Sequence, residues 1–185
     1  MQKKSMITGV VILGLSAVLA VGCSRKEEQP QPATQQQTQQ QAPAQGVQNA
    51  TLIADLEARL KEDPKNPEVL WRLGDAYFDS KQFNESVKNY KKVLEVKPGE
   101  ADLYNDLGLS LHYLGNSAEA IKYLDEGIKK NPYHQRIWLT KGFILAYGMG
   151  DLEGAKVAWE KANALNPESQ IGKAASEYLA LVNKK

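Results

Sequence analysis

The residues of this chain that could do chemistry are few, and they are not spaced for catalysis. The two histidines, His112 and His134, have no cysteine near them, and no HExxH motif places two histidines on one helical face. The sequence contains no GxSxG, GxGxxG or Gly-Lys-Ser phosphate-binding motif. Helical carboxylates such as Asp102 and Asp106 occupy positions that we expect to be solvated. The sequence therefore predicts a protein that is not an enzyme and that holds neither a cofactor nor a metal ion.

The single cysteine, Cys23, excludes a disulfide within the chain and follows a segment typical of export signals. Lys3 and Lys4 give a basic start, and residues 6–21 are nearly all apolar, a run shorter than the ~20 residues of a membrane-spanning helix. A cysteine directly after such a run resembles the processing site of bacterial lipoprotein signal peptides. The resemblance implies that residues 1–22 are removed and that Cys23 becomes a lipidated N-terminus, carrying palmitate or a similar acyl chain. The alternative is an uncleaved single membrane anchor.

Both interpretations keep the basic start in the cytoplasm and export the remainder of the chain. The resemblance also implies that Ser24, directly after the cysteine, favours transport to the outer membrane over retention in the inner one. We therefore expect a protein that is anchored by lipid to a bacterial membrane, preferentially the outer membrane, and that faces the periplasm.

Residues 23–49 carry the predicted lipidation site and then a segment dominated by Gln, Pro, Ala and Thr. The segment has no apolar period, so it offers nothing to bury against a core. Ordering it would cost about 1–2 kcal/mol per residue without compensating burial. The composition therefore predicts a disordered tether between the lipid and the folded part of the chain.

The remainder of the sequence repeats with a period of 34 residues. In one unit, small and apolar residues recur at helical spacing before a Gly-Asn turn: Tyr104, Leu107, Gly108 and Leu111. Gly74, Gly108 and Gly142 keep the step of 34, whereas Pro167 follows Pro132 one residue late. The pattern predicts pairs of antiparallel helices that approach closely at small residues, with one extra residue in the turn at 147–151, where insertions are tolerated.

This period, with small residues at the helix contact and a proline at the end of the unit, resembles the tetratricopeptide repeat. The resemblance implies an all-α fold, namely a right-handed superhelical solenoid of three helix-turn-helix units with a cap helix at each end. We predict a repeat domain over residues 50–185 that consists of a cap helix at 51–62, repeats at about 67–100, 101–134 and 135–169, and a C-terminal cap helix at 170–183.

In such a solenoid, the first helix of each unit lines a concave groove that binds peptides. Alignment with the repeat places Asp75, Asp106, Thr140 and Ala146 at groove positions, together with ten candidate binding residues: Trp71, Arg72, Phe78, Asn105, Leu109, His112, Tyr113, Leu139, Phe143 and Tyr147. Aromatic and arginine side chains are the types that anchor protein interfaces. Only Arg72 and Asn105 are comparable to the residues of the carboxylate-clamp subclass. The alternative is that Trp71, Phe143 and Tyr147 pack against the cap helices.

The formal net charge of +1 gives no indication of nucleic-acid binding. Together, the patterns predict an envelope lipoprotein that acts as a protein–protein interaction adaptor and binds a partner peptide or helix in its groove. Assembly of a pilus, of a secretion system or of the outer membrane would be its setting. Two alternatives remain: a cytochrome c maturation factor that holds apocytochrome for haem lyase, and a self-associating structural scaffold.

Overall fold

The computed structural model describes residues 41–183, which form eight α-helices and no strand. The helices are α1 (Gln41–Glu62), α2 (Pro67–Asp79), α3 (Phe83–Val96), α4 (Ala101–Tyr113), α5 (Ser117–Lys130), α6 (Gln135–Met149), α7 (Leu152–Leu165) and α8 (Gln170–Val182). The predicted all-α fold class is confirmed. The predicted signal peptide, Cys23 and most of the predicted tether lie outside the described residues. Within residues 41–183, no helix is both long and apolar enough to cross a membrane.

The helices form two layers. Helices α2 and α3, α4 and α5, and α6 and α7 pack as hairpins, with α1 against α2 and α8 against α7. The first helices also contact one another, α2 with α4, α4 with α6, and α6 with α8, whereas none of the fully described helices α3, α5 and α7 contacts another of these three. Because the first helices lie closer together, α2, α4, α6 and α8 form the concave inner layer, and α3, α5 and α7 form the outer layer.

The hydrophobic core lies between these layers. Its largest fully buried apolar side chains come from both layers and from all three hairpins: Leu70, Tyr90, Val93, Leu103, Leu107, Leu124, Ile137, Ile144 and Trp159. Each hairpin buries one face against its neighbours, as expected for a repeat array. The core therefore fixes the inner helices in parallel, with equivalent positions side by side.

A glycine of each inner helix permits the close approach of the outer helix. An ideal Cβ at each of these positions would lie less than 3.0 Å from an opposing side chain: Gly74 against Tyr90, Gly108 against Leu124 and Gly142 against Trp159. Contacts of this length are shorter than real Cβ contacts, so no larger residue fits without displacing the opposing side chain. The predicted role of small residues at the helix contact thus has a direct steric cause.

Helix α1 begins at Gln41 rather than at residue 51, so it includes the last residues that the sequence assigned to the tether. Ala and Gln, which dominate this stretch, are good helix formers, and Pro43 lies in the first turn, where a missing N–H costs little. The Oγ1 atom of Thr51 donates to the carbonyl of Val47 within the helix. Val47 is nevertheless 69% exposed, and the first fully buried side chain of α1 is Leu56.

Helix α6 is longer than its equivalents, with 15 residues against 13 in α2 and α4. The sequence placed an extra residue in a turn at 147–151, but the helix continues through Met149. It ends at Gly150, whose φ of +72° is the left-handed conformation that glycine adopts readily. Asp151 then caps α7, because its side chain accepts the N–H of Gly154 at 2.9 Å. Tyr147 therefore lies on a helix, at the end of the inner face.

Candidate functional site

A cavity of about 600 Å³ opens on the inner layer between α2, α4 and α6. Its walls combine carboxylates with aromatic and apolar side chains: Trp71, Asp75, Phe78, Asp79, Tyr90, Asp102, Asp106, Leu109 and Arg136. On α2 and α4 these residues recur every three or four positions, which places them on one face of each helix. We name this site the acidic cavity.

The acidic cavity holds four carboxylates and one guanidinium group. The Nη2 atom of Arg136 lies 2.9 Å from Oδ1 of Asp102 and 3.1 Å from Oδ1 of Asp106. On the opposite wall, Asp75 accepts a hydrogen bond of 2.6 Å from the Tyr90 hydroxyl. Neither Asp75 nor Asp79 takes part in an ion pair among the described residues. The cavity is therefore electronegative, and Arg136 compensates only one of its walls.

Asp106 is the most enclosed of these carboxylates, with a side chain that is 21% exposed. The expectation that it is solvated was wrong, because the packing of α2 and α6 against α4 covers it. Burial raises the pKa of Asp106, and the Arg136 guanidinium and a hydrogen bond from the Asn105 amide oppose this change. The indole N–H of Trp71 also donates to Asp106 across the α2–α4 contact, at 3.4 Å.

Asn105 lies behind the same wall and is only 3% exposed. Its Nδ2 atom donates to Oδ1 of Asp106 at 3.2 Å, but its Oδ1 atom is buried without a hydrogen-bond partner. A buried acceptor without a partner is uncommon in a folded protein and calls for a specific explanation. Asn105 thus presents an unused acceptor directly beside the acidic cavity.

Aromatic rings from the C-terminal halves of the inner helices and from the start of α3 form a second feature, which we name the aromatic strip: Phe78, Phe83, His112, Tyr113, Phe143 and Tyr147. The Phe78 ring lies 5.7 Å from Tyr113, and the Phe83 ring stacks on Tyr113 at 4.9 Å. Phe143 lies 5.1 Å from Tyr147. Tyr113 and Tyr147 are 51% and 59% exposed. Since Phe78 also lines the acidic cavity, the two features adjoin.

His112 joins the two halves of the strip. Its ring lies 5.7 Å from Tyr113 and 5.5 Å from Phe143, and its Nδ1 atom is 2.9 Å from the hydroxyl of Ser117. Burial lowers the pKa of His112, so the neutral form is favoured near neutral pH. The histidine is therefore a positioned part of the ring packing rather than a solvated side chain.

The structure brings most of the ten predicted groove residues together. Trp71, Phe78 and Leu109 line the acidic cavity, and His112, Tyr113, Phe143 and Tyr147 form the aromatic strip with Phe83, whereas Asn105 lies behind the wall. Two residues lie elsewhere. Arg72 lines a neighbouring depression with Glu68 and Lys97, and this depression shares Trp71 and Asp75 with the acidic cavity. Leu139 packs half-buried in the C-terminal part of the core, where its carbonyl accepts the indole N–H of Trp159.

The alternative prediction was that Trp71, Phe143 and Tyr147 pack against the cap helices, and Tyr147 does so in part. The Tyr147 ring lies 6.4 Å from Tyr178 of α8, yet more than half of Tyr147 stays exposed. Trp71 and Phe143 instead pack against the main core. Tyr147 is thus tethered by the cap helix at one edge and open at the other.

Two charged members of the cavity, Asp75 and Asp106, lie at predicted groove positions, whereas Asp79, Asp102 and Arg136 were not predicted to face the groove. Asp75 and Asp79 are four residues apart on α2, and Asp102 and Arg136 hold the same position in successive repeats. Equivalent positions of neighbouring inner helices lie side by side, so opposite charges in register form an ion pair. Comparing charges between repeats, rather than searching for large apolar residues, would have revealed this pair.

Two family models match the middle of the chain. The model described as "TPR repeat" matches residues 74–115, and the model described as "Tetratricopeptide repeat" matches residues 101–134. The matches cover the inner helix α4 and the outer helix α5 in full, together with most of the hairpin before them.

Curated relatives share the repeat but are much longer. The Hsp70-Hsp90 organizing protein of Triticum aestivum is 23% identical over 116 residues, which are 63% of this chain and 20% of that protein. The peroxisomal targeting signal receptor of Kluyveromyces lactis is 30% identical over 81 residues, which are 44% of this chain and 13% of the receptor. This chain thus spans a fifth or less of the length of these relatives.

Solved structures share the fold. A crystal structure of MamA protein has a TM-score of 0.60 at 25% identity and covers 76% of this chain and 82% of its own. A thermophilic TPR protein of Thermus thermophilus has a TM-score of 0.61 at 22% identity, with coverage of 75% and 80%. The first TPR of Spaghetti (RPAP3), bound to the HSP90 peptide SRMEEVD, has a TM-score of 0.59 at 20% identity, with coverage of 66% and 94%. This chain therefore carries tetratricopeptide repeats and folds as a tetratricopeptide solenoid.

Proposed function

We propose that this protein is a membrane-anchored adaptor of the bacterial cell envelope that binds a segment of a partner protein on its inner face. The observation that supports this most is that the acidic cavity and the aromatic strip adjoin, because Phe78 belongs to both. Tetratricopeptide solenoids are in general protein-interaction scaffolds rather than catalysts, and the RPAP3 repeat was solved with a peptide bound. A concave site with aromatic walls and a few placed polar groups has the character of a binding site.

The aromatic strip supports binding because it leaves large rings in water. Tyr113 and Tyr147 are each about half exposed although both contact other rings. Contiguous exposed aromatic surface is unfavourable in an isolated protein and is typical of an interface. Binding of an extended or helical segment would cover these rings and offset the cost of ordering the segment.

The envelope location rests on the first part of the sequence. The basic start, the apolar run and Cys23 support lipid anchoring, with the helical repeats held in the periplasm. Assembly of an envelope complex, such as a pilus, a secretion system or the outer membrane, is the setting that we propose for the adaptor. If so, Cys23→Ser abolishes lipidation, which intact-mass measurement detects, and moves the protein from the membrane to the soluble fraction. An unchanged mass and location would contradict lipidation at Cys23.

Binding on the inner face is tested by photo-crosslinking in cells. A photoreactive residue at Leu109, in the wall of the acidic cavity, should capture one dominant envelope protein, and Phe78→Ala should reduce the yield. The same residue at the exposed outer-layer position Lys122 provides the matched control. Capture from position 122 but not from position 109 would show that the partner binds the outer layer and would contradict the proposed function.

A further inference from the structure

We propose that the acidic cavity binds the cationic side chain of a lysine or arginine in the partner segment, while an adjacent large apolar residue of that segment rests on the aromatic strip. This inference depends on the proposed function of the inner face and specifies the chemistry of the ligand.

The distribution of charge around the cavity is the first argument. Arg136 bridges Asp102 and Asp106, which satisfies the α4 wall. Asp75 and Asp79, on the α2 wall, face the same space without a cationic partner in an ion pair. Arg72, in the neighbouring depression, lowers the pKa of Asp75 but forms no ion pair with it. The cavity thus has room and, on one side, carboxylates outside the ion pairs of the described residues, which is the complement of a second cationic group.

Arg136 shows that the cavity accommodates a guanidinium group. One of its nitrogen atoms reaches carboxylate oxygens from two successive turns of α4. The planar guanidinium suits such recognition because its several N–H donors point in fixed directions. Asp75 and Asp79 offer a comparable pair of carboxylates on successive turns of α2. In addition, the Trp71 indole lines the cavity and provides an aromatic surface beside which a cation is stabilised.

Asn105 supports the α4 wall of the cavity from behind. Its Nδ2 atom donates to the carboxylate of Asp106, whereas its Oδ1 atom is enclosed and Asn105 does not line the cavity. An ammonium or guanidinium group, which carries several donors and no acceptor, would therefore meet the carboxylates of the wall.

The pKa values of two cavity carboxyl groups agree with a cationic ligand. Burial raises the pKa values of Asp75 and Asp106, and in both cases the surrounding cations only partly oppose the effect. The charge of a neighbouring carboxylate adds to the effect of burial, that of Asp79 at Asp75 and that of Asp75 at Asp106. A bound cation would lower both.

An acidic ligand is disfavoured by the same groups. The peptide in the RPAP3 structure, SRMEEVD, carries two glutamates and one aspartate. In the present cavity such residues would meet four carboxylates, and its single cation, Arg136, is already paired. Like charges placed together at an interface oppose binding. The ligand class therefore differs from that of the RPAP3 repeat although the fold is shared.

The contact between cavity and strip extends the specificity beyond a single charge. Phe78 lines the cavity and lies 5.7 Å from Tyr113. Because consecutive Cα atoms of a chain are about 3.8 Å apart, a large side chain close to the cation in the bound segment can reach these rings. The predicted recognition element is a basic residue adjacent to an aromatic or large aliphatic one.

The experiment monitors the three tryptophan indole N–H signals of the ¹⁵N-labelled full-length protein in detergent micelles. Trp71 donates to Asp106 at the cavity, whereas Trp159 donates to the Leu139 carbonyl in the core and serves as the internal control. The probe is the blocked peptide Gly-Phe-Arg-Phe-Gly. Its matched controls replace the arginine by citrulline, which is isosteric and neutral, or by glutamate. We expect the arginine and lysine peptides to shift the Trp71 signal and to bind about tenfold more tightly than the citrulline peptide.

A substitution then tests whether a carboxylate of the α2 wall binds the arginine side chain of the peptide. Asp79 makes no side-chain hydrogen bond or ion pair among the described residues and is exposed, so Asp79→Asn leaves the fold intact and should weaken the arginine peptide about fivefold. Asp55→Asn, the same change at an exposed site on α1, should have no effect.

Three results would overturn the inference: equal binding of the citrulline peptide, tighter binding of the glutamate peptide, or no shift of Trp71 with any peptide at millimolar concentration. The first two leave inner-face binding in place and reject only the cationic ligand. Crosslinking from position 109 tests inner-face binding separately, so the two failures are distinguishable.

Discussion

The acidic cavity and the aromatic strip occupy the same three inner helices but are built by different forces. In the cavity, directional contacts hold the charged groups other than Asp79, such as the hydrogen bond from Tyr90 to Asp75 and the two contacts from Arg136. In the strip, rings contact rings, and the main polar contact is that of His112 with Ser117. The cavity can therefore discriminate the charge of a ligand, whereas the strip supplies apolar area with little discrimination.

This difference shows how one solenoid separates specificity from affinity along its groove. Charged contacts weaken as salt screens them, whereas burial of aromatic surface does not. Binding by the two features can thus be separated by ionic strength as well as by substitution. The two features also differ in their relation to the core, because Phe143 of the strip packs against the main core, whereas the charged side chains of the cavity are not part of it.

Removal of the central ring of the strip should have the largest effect. Phe143 packs against the main core and contacts both His112 and Tyr147. We expect Phe143→Ala to lower the free energy of unfolding by about 2–4 kcal/mol, measured by urea denaturation with circular dichroism. Tyr147→Ala, at a ring that is 59% exposed, should lower it by less than about 1 kcal/mol. A loss for Phe143→Ala as small as that expected for Tyr147→Ala would mean that the strip does not contribute to the core.

Disturbing the approach of the two layers should affect the cavity and the strip together. A Cβ at Gly142 would clash with the Trp159 indole, so Gly142→Ala should cost about 1–3 kcal/mol of unfolding free energy. Gly46→Ala is the control, since a Cβ there meets nothing within 4 Å and should stabilise α1 by up to about 1 kcal/mol. If Gly142→Ala left the unfolding free energy unchanged, the two helices of this hairpin could move apart without losing stability.

Salt should weaken the cavity selectively. Raising the ionic strength from about 0.05 to 0.5 M should reduce binding of the Gly-Phe-Arg-Phe-Gly peptide several-fold, because screening acts on its arginine. Tyr113→Ala should reduce binding at both salt concentrations by a similar factor, since the lost contact is apolar. Isothermal titration at the two concentrations measures both effects. A salt-sensitive loss on Tyr113→Ala would contradict the division of roles.

The smallest expected effect is the pH dependence of the unfolding free energy that results from the titration of Asp106. Burial raises its pKa in the folded protein, so protonation favours the folded state, and this contribution is lost as the pH rises through the folded-state pKa. The unfolding free energy of the natural protein, relative to that of Asp106→Asn, should therefore increase as the pH falls from 7 toward the ordinary value of 3.8. Urea denaturation of both proteins across this range tests the sign, and a decrease would contradict it.

Much of the fold could be predicted from the sequence because the repeat restates the same constraints three times. Gly74, Gly108 and Gly142 have the same steric role, so their regular spacing predicts where the inner and outer helices approach closely. The start of α1 could not be predicted, since residues 41–50 have no apolar period and residues 46–50 bury little. Residues of this kind are assigned by local helix propensity alone.

The candidate site was less accessible to sequence reasoning. Aromatic residues such as Phe78 and Tyr113 could each be assigned to the groove from the sequence, and the structure shows that their rings contact one another. The acidic cavity depends on relations between helices, such as Asp102 with Arg136, and on burial that no single position reveals, as at Asp106. Leu139 shows the reverse case, where a large apolar residue at a groove position turns toward the core.

The most direct test of the inner-face site is a set of intermolecular nuclear Overhauser effects between the labelled full-length protein and the Gly-Phe-Arg-Phe-Gly peptide. The site as described predicts contacts from the arginine side chain to the Trp71 indole and from a phenylalanine ring to Tyr113. Contacts instead to an outer-layer ring such as Tyr123, with none to Trp71, would contradict it.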